Sequence, residues 1–206
     1  MANDGVKVIV GLGNPGQAYD TTRHNMGRLI VRSFAQGFQT TFKSKSAYKG
    51  QVAKVVMESK EALYLLLPDT FMNLSGLSVR ACLKKTGVDL DQCLIVSDDI
   101  QVSFGAMRLR EKGSHGGHNG LRSIESCLGT REYQRLRVGV SAPSRTCLSE
   151  YVLQNFNESQ FKVLDGIIKN AHVVLDYWLK DELELAKQFA NQTKSIDQGE
   201  DHEEDA

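Results

Sequence analysis

Along the chain, short apolar runs alternate with stretches whose apolar residues recur at helical spacing. Four of the five residues Val6–Val10 are apolar, as in a strand buried on both faces. The run leads straight into the turn Gly11-Leu12-Gly13-Asn14-Pro15-Gly16. Beyond it, Met26, Leu29, Ile30 and Phe34 share one helical face, with Thr21 or Thr22 as the expected cap. Tyr48–Met57 and Ala62–Leu67 read as strands joined by a polar Glu58–Glu61 turn. Leu74–Thr86 reads as a helix closed by Gly87, and Cys93–Ser97 as a second buried strand ending in Asp98-Asp99. Phe104–Arg110 alternates like an edge strand, and a glycine loop, a short helix from Leu121 and a strand at Leu136–Val140 follow. From Leu148 onward the pattern is helical: Phe161, Leu164, Ile168, Leu175 and Trp178 predict one long amphipathic helix, and Leu183–Phe189 another.

Strands interleaved with helices predict an α/β fold: a single domain over residues 1–190, with a twisted, mixed but mostly parallel sheet flanked by helices. Its sites are expected beyond the carboxyl ends of the strands. Composition agrees, with 41% apolar and 24% charged residues in 206. No apolar run approaches the roughly 20 residues of a membrane helix, and the start lacks a basic-then-apolar leader. A cytoplasmic protein is expected. The cysteines at 82, 93, 127 and 147 form no C-x-x-C pair and are expected as reduced thiols.

The net charge of zero conceals an asymmetry. Six carboxylates and no Lys or Arg lie between Asp197 and Asp205, so residues 191–206 are expected as an acidic, disordered tail. Without those six the body keeps 25 basic against 19 acidic residues. Between Ser103 and Thr146, Arg108, Arg110, Lys112, Arg122, Arg131, Arg135, Arg137 and Arg145 face only three glutamates. If they share one face, that face attracts a polyanion.

Gly11-x-Gly13-x-x-Gly16 matches a dinucleotide fingerprint in spacing but fails it in context. Pro15 and the following polar residues delay the helix, and no Asp or Glu occurs between Asp20 and Glu58 to hold a ribose. What remains there is Asn14, with His24 in the first helical turn. A helix start disfavours imidazolium, so His24 is expected neutral and suited to general-base work. Asn73 opens the second helix-forming stretch either as an N-cap or as a site residue. Asp98, at a strand end, can orient a histidine. Gly113-Ser114-His115-Gly116-Gly117-His118-Asn119-Gly120 carries four glycines in eight residues between Arg110 and Arg122, a loop able to turn N–H groups toward phosphate. It offers a poor metal site, and neither a nucleophile elbow nor a Gly-Lys-Ser/Thr phosphate loop is present. The set fits a histidine-activated water attacking a carbonyl, with amide side chains holding the oxyanion.

In order, Val8–Gly16 with Tyr19 and Thr22–Gly27, Phe71–Gly76, Asp98, Gly113–Gly120 and Arg135–Gly139 resemble the bacterial-type peptidyl-tRNA hydrolase family over roughly residues 6 to 180. The resemblance implies cleavage of the ester between a peptide and the terminal ribose of tRNA by a monomer without metal or cofactor. It implies His24 as the base, Asp98 as its orienting partner, and Asn14 and Asn73 as positioning groups. It places Asn119 and His118 on the acceptor end, lines the cleft with Tyr19, Phe71 and Met72, and puts Arg110 and Arg137 on phosphate. Phe71 stands where the family often has tyrosine, Arg110 replaces a common lysine, and Ile100-Gln101-Val102 lacks a second acidic residue typical there. The alternative is an RNA-binding or splicing-associated scaffold of the same fold without turnover. Removing the acidic tail should leave catalysis unchanged, which assay of the truncated chain would check.

Overall fold

A computed structural model describes residues 5–57, 61–142 and 147–195. Seven strands form one sheet: β1 (Val6–Gly11), β2 (Lys43–Lys45), β3 (Gly50–Val56), β4 (Ala62–Pro68), β5 (Cys93–Asp99), β6 (Met107–Lys112) and β7 (Glu132–Gly139). Their order is β2-β3-β4-β1-β5-β7-β6. The central β4, β1, β5 and β7 run parallel, while β2, β3 and β6 add antiparallel wings. The helices are α1 (Met26–Gly37), α2 (Ser75–Thr86), α3 (Asn119–Leu128), α4 (Leu148–Leu153), α5 (Glu158–Leu179) and α6 (Leu183–Gln192).

The continuous apolar runs follow from burial on both faces. Ile9, Leu94, Val96 and Leu136 pack toward α1, α5 and α6, among them Ile30, Ile167, Val174 and Trp178. Val8, Val10 and Ile95 face the other way, toward Val79 of α2 and Leu121 and Ile124 of α3. Lys7 breaks the β1 run yet is buried. Its ammonium donates to the carbonyls of Trp178 and Leu179 at the end of α5 and to Asp181, satisfying acceptors the helix end leaves open.

Several boundaries shift for local reasons. Tyr48 sits in a short 3-10 turn and the strand begins at Gly50. The Lys43–Lys45 strand, too short and polar to announce itself, was not expected. Neither Thr21 nor Thr22 caps α1: a 3-10 turn, Arg23–Asn25, precedes it, and the Thr22 hydroxyl donates back to Tyr19 O. Asn73 does not cap α2, whose N-cap position is Leu74 with no side-chain bond. Gly87 does close α2, at φ 69°. Phe161 is 60% exposed, while its neighbour Gln160 is buried, completing the capping box of α5 with Asn157 and accepting from Arg23. α6 extends to Gln192, two residues into the segment expected as tail. The carboxylates from Asp197 and most of the Glu58–Glu61 turn lie outside the described residues.

The approach of α1 to the sheet depends on Gly27, where an added Cβ would lie 2.2 Å from Val96 O. Gly27→Ala should therefore lower stability by roughly 1–3 kcal/mol or more, read as a lower urea midpoint at unchanged slope.

Candidate active site

Three chain segments converge at the carboxyl ends of β1 and β5. After β1, Asn14 is locked to Asn25. The Asn14 N–H donates to Asn25 Oδ1 (2.8 Å), and Asn25 Nδ2 donates back to Asn14 O (3.0 Å). Asn14 Oδ1 in turn accepts from the backbone N–H of Met72 (2.8 Å), which fixes the amide and leaves its Nδ2 as the available donor. Asn25, fully buried, had no sequence signal beyond its place after His24.

The 3-10 turn that carries His24 is tied down by Arg23. Arg23 donates to Gln160 Oε1 and Tyr151 O, with its guanidinium 4.2 Å from the Tyr151 ring centroid. His24 Nδ1 meets Asp98 Oδ1 at 2.9 Å and Oδ2 at 3.0 Å. From the other side, His118 Nε2 meets Asp98 Oδ1, also at 2.9 Å. The two imidazoles lie 4.8 Å apart.

The backbone settles which nitrogen of His118 carries hydrogen. As N-cap of α3, its Nδ1 accepts from the N–H groups of Gly120 (3.1 Å) and Leu121 (3.3 Å), so the proton is on Nε2 and is donated to Asp98. Both ring nitrogens of His118 are thereby engaged. His24 differs: Nδ1–H serves Asp98, while Nε2 has no partner among the described residues, and the ring borders the cleft. These three side chains have donor atoms within 4.8 Å of one another, close enough for a metal. The bonding does not fit one, because a cation replacing hydrogen on His118 Nε2 would require an imidazolate or the loss of the helix cap.

Burial alone would push the Asp98 carboxyl up, but the charges of His24 and His118 and the hydrogen bonds from both hold it well below the usual carboxylate range. Burial alone would lower His24, but the Asp98 charge and hydrogen bond outweigh it and raise its pKa above 6.5. The field of the helix start, expected to hold the pKa of this imidazole down, is outweighed, since a charge at 2.9 Å exceeds the field of a three-residue turn. Asp99, beside it, is raised by burial, opposed by the Gln101 N–H and by Arg137, whose Nε lies 2.7 Å from Asp99 Oδ2.

The cleft of about 490 Å³ is bordered by His24, Asp98, Asn119, Arg137, Leu148 and Val152, among others. The glycine loop closes over Arg137: Gly116 has φ 56°, and a Cβ there would lie 2.6 Å from the guanidinium. The apolar wall of α4 had no chemical signal in the sequence. Asn73 is exposed and lines a neighbouring groove of about 360 Å³ between α2 and α3, which Asn119 also borders. Met72 is buried in the α2–α3 core and serves the site through its backbone, so it is not the cleft wall expected; Phe71 is 57% exposed at the surface. Tyr19 is half-buried in the 3-10 turn before His24. Arg110 lies outside the cleft on edge strand β6, donating to Asn191 Oδ1. Arg135 turns inward, 1% exposed, donating to the carbonyls of Gly113, Arg131 and Tyr133, so the basic stretch does not form one face.

A family model described as peptidyl-tRNA hydrolase matches residues 8–198. The chain belongs to the peptidyl-tRNA hydrolase family. A peptidyl-tRNA hydrolase of Syntrophotalea carbinolica is 39% identical over 176 residues, covering 85% of this chain and 91% of that one. One of Citrifermentans bemidjiense is 38% identical over 187 residues, covering 90% and 97%. The crystal structure of peptidyl-tRNA hydrolase from Acinetobacter baumannii superposes with a TM-score of 0.86 at 34% identity, covering 92% of this chain and 96% of that one. The match to the peptidyl-tRNA hydrolase model thus runs beyond residue 180, through α6.

The protonation pattern has a signed consequence. His24, raised in the folded state, contributes stability that is complete below about pH 6.5 and is lost as pH rises through its folded value. Asp98, depressed, contributes fully above about 3.8 and loses this as pH falls through its folded value. The pH profile of kcat/KM should rise along a base limb with its midpoint above 6.5. Asp98→Asn should move that midpoint below 6.5, because burial then acts unopposed, and lower kcat by a factor of about 10²–10⁴. A pH–rate series on both chains would check this.

Proposed function

We propose that this chain hydrolyses the ester joining the C-terminus of a peptide, or of an N-blocked amino acid, to the 3′-terminal ribose of tRNA, with His24 as general base. The observation that carries the reading is the asymmetry of His24. Nδ1 is committed to a buried carboxylate, and Nε2 has no partner among the described residues and borders a cleft large enough for an acyl group. That arrangement holds the neutral tautomer whose lone pair points away from Asp98.

A water bonded to Nε2 gives up its proton as its oxygen attacks the ester carbonyl. Asp98 stabilises the resulting imidazolium without itself taking the proton. Amide donors at Asn14 and Asn119 are the groups able to hold the developing oxyanion and the acyl chain. The tetrahedral intermediate expels the ribose oxygen, which takes the proton back from His24 Nε2, leaving a free carboxylic acid and tRNA. The neutral side chains of Asn73 and Asn119, together with Arg137, offer contacts to the acceptor end. The tRNA supplies the polyanion that the positive body attracts.

A binding scaffold without turnover would have no use for an open imidazole nitrogen backed by a buried anion. The deciding assay is release of N-acetyl-amino acid from N-acetyl-aminoacyl-tRNA with EDTA present, beside free aminoacyl-tRNA. Cleavage of the blocked substrate, unaffected by EDTA, is expected. His24→Ala should lower kcat by a factor of about 10²–10⁴ while tRNA affinity stays within a few-fold. Retained turnover in that variant would remove His24 from its role, and tRNA binding without cleavage in the unaltered chain would favour the scaffold.

A further inference from the structure

Apart from the cleft and the α2–α3 groove, the described residues form a further polar hollow on the antiparallel wing, at β2 and β3. It has a volume of about 440 Å³, and its lining includes Thr41, Lys43, Lys45, Tyr48, Lys54 and Tyr64. Strand register explains why the lysines meet. Lys43 pairs with Val52 and Lys45 with Gly50, while Lys54, two residues beyond Val52, pairs with Tyr64, so all three ammonium groups project from one face. The alternate residues Ser44 and Gln51 lie on the other face, where both bond Asp69. None of the three lysines pairs with a carboxylate among the described residues, and neither tyrosine hydroxyl donates a hydrogen bond among them. Lys54 Nζ lies 5.3 Å from the centroid of the Tyr64 ring.

The geometry points to this groove as a second RNA contact, taking the phosphate backbone of the substrate tRNA away from its acylated end, with Tyr48 and Tyr64 as surfaces for ribose or base. The inference rests on the proposed function for the identity of the RNA. Three ammonium groups in a concave setting, with no carboxylate partner among the described residues, complement a polyanion, and aromatic faces between cations are what bases and sugars pack against. Lys43 and Lys45 stand about 6.6 Å apart along their strand, so each can serve a different phosphate. Four strand spacings, about 19 Å, separate β2 from the strand bearing Asp98. A bound tRNA spans that distance and a terminal nucleotide does not.

The test compares the full chain with its Lys43→Gln/Lys45→Gln/Lys54→Gln form on N-acetyl-aminoacyl-tRNA and on the same acyl group carried by adenosine alone. In parallel, fluorescence anisotropy measures binding of deacylated tRNA to both chains. For the tRNA substrate, KM should rise about tenfold at low salt, and the slope of log KM against log salt should flatten by about 2, with kcat unchanged. KM for the adenosine ester should not move, and the corresponding triple arginine form should restore the tRNA value. Unchanged KM, slope and tRNA affinity would overturn the proposal, as would an equal rise on both substrates, which marks a general field effect. So would loss of polyglutamate binding with tRNA binding intact, since the groove would then serve an acidic peptide. If the unaltered chain cleaves neither substrate, the hydrolase reading fails, while the anisotropy comparison still decides the groove.

Discussion

A carboxylate removed from water at the end of a central strand must be compensated or it will be neutralised. Asp98 is 2% exposed, and its compensation comes from two imidazoles that approach from different parts of the chain. Most of the site can be read as the means of bringing them there. β5 carries the anion into the interior, the 3-10 turn after β1 brings His24 to one side, and the last residues of the glycine loop bring His118 to the other. Arg23 and Asn25 hold the first turn, and the backbone of α3 holds the second histidine. Shifting any of these supports would leave a buried charge without its partners.

The two histidines share one carboxylate and still have different chemistry. Both nitrogens of His118 are occupied, one by helix N–H groups and one by Asp98, so it acts as a fixed clamp. His24 has one nitrogen committed and one without a partner among the described residues, the one the proposed base would use. The backbone around each ring makes the distinction, since the residue type is the same and the Asp98 distance is the same. Arg23 further ties the His24 turn to Tyr151 of α4, the helix whose Leu148 and Val152 form the apolar side of the cleft. The His24 ring and the apolar wall of the cleft thus share a support.

Charge along the chain is a poor guide to charge on the surface. In the basic stretch, Arg135 points into the interior and satisfies three carbonyls, Arg137 is paired with Asp99, and Arg110 is held by Asn191. Meanwhile Lys43, Lys45 and Lys54, in a segment with no marked linear pattern, gather on one face. The alternation of side chains along a strand and the order of strands in the sheet decide this, and neither is visible in a count of cations.

Much of the fold was legible because burial on both faces leaves a continuous apolar run at β1 and β5, and an amphipathic helix leaves a 3.6-residue stripe. His24, Asp98, Asn14 and the glycine loop were legible because each ends a strand or opens a helix where polar residues lack another structural reason to cluster. The misreadings fall where a polar group found a partner far along the chain. Gln160 displaced Phe161 from the buried face because Arg23 needed an acceptor, and Met72 turned inward while its N–H served Asn14. The sequence by itself determined the element types, their order and the residue types available for proton transfer, since these depend on local period and local chemistry. Which nitrogen of which histidine is open, that His24 is raised rather than lowered, and which cations face solvent were decided only in the tertiary structure. Each depends on a Coulombic or hydrogen-bonded partner at about 3 Å in space and tens of residues away in sequence.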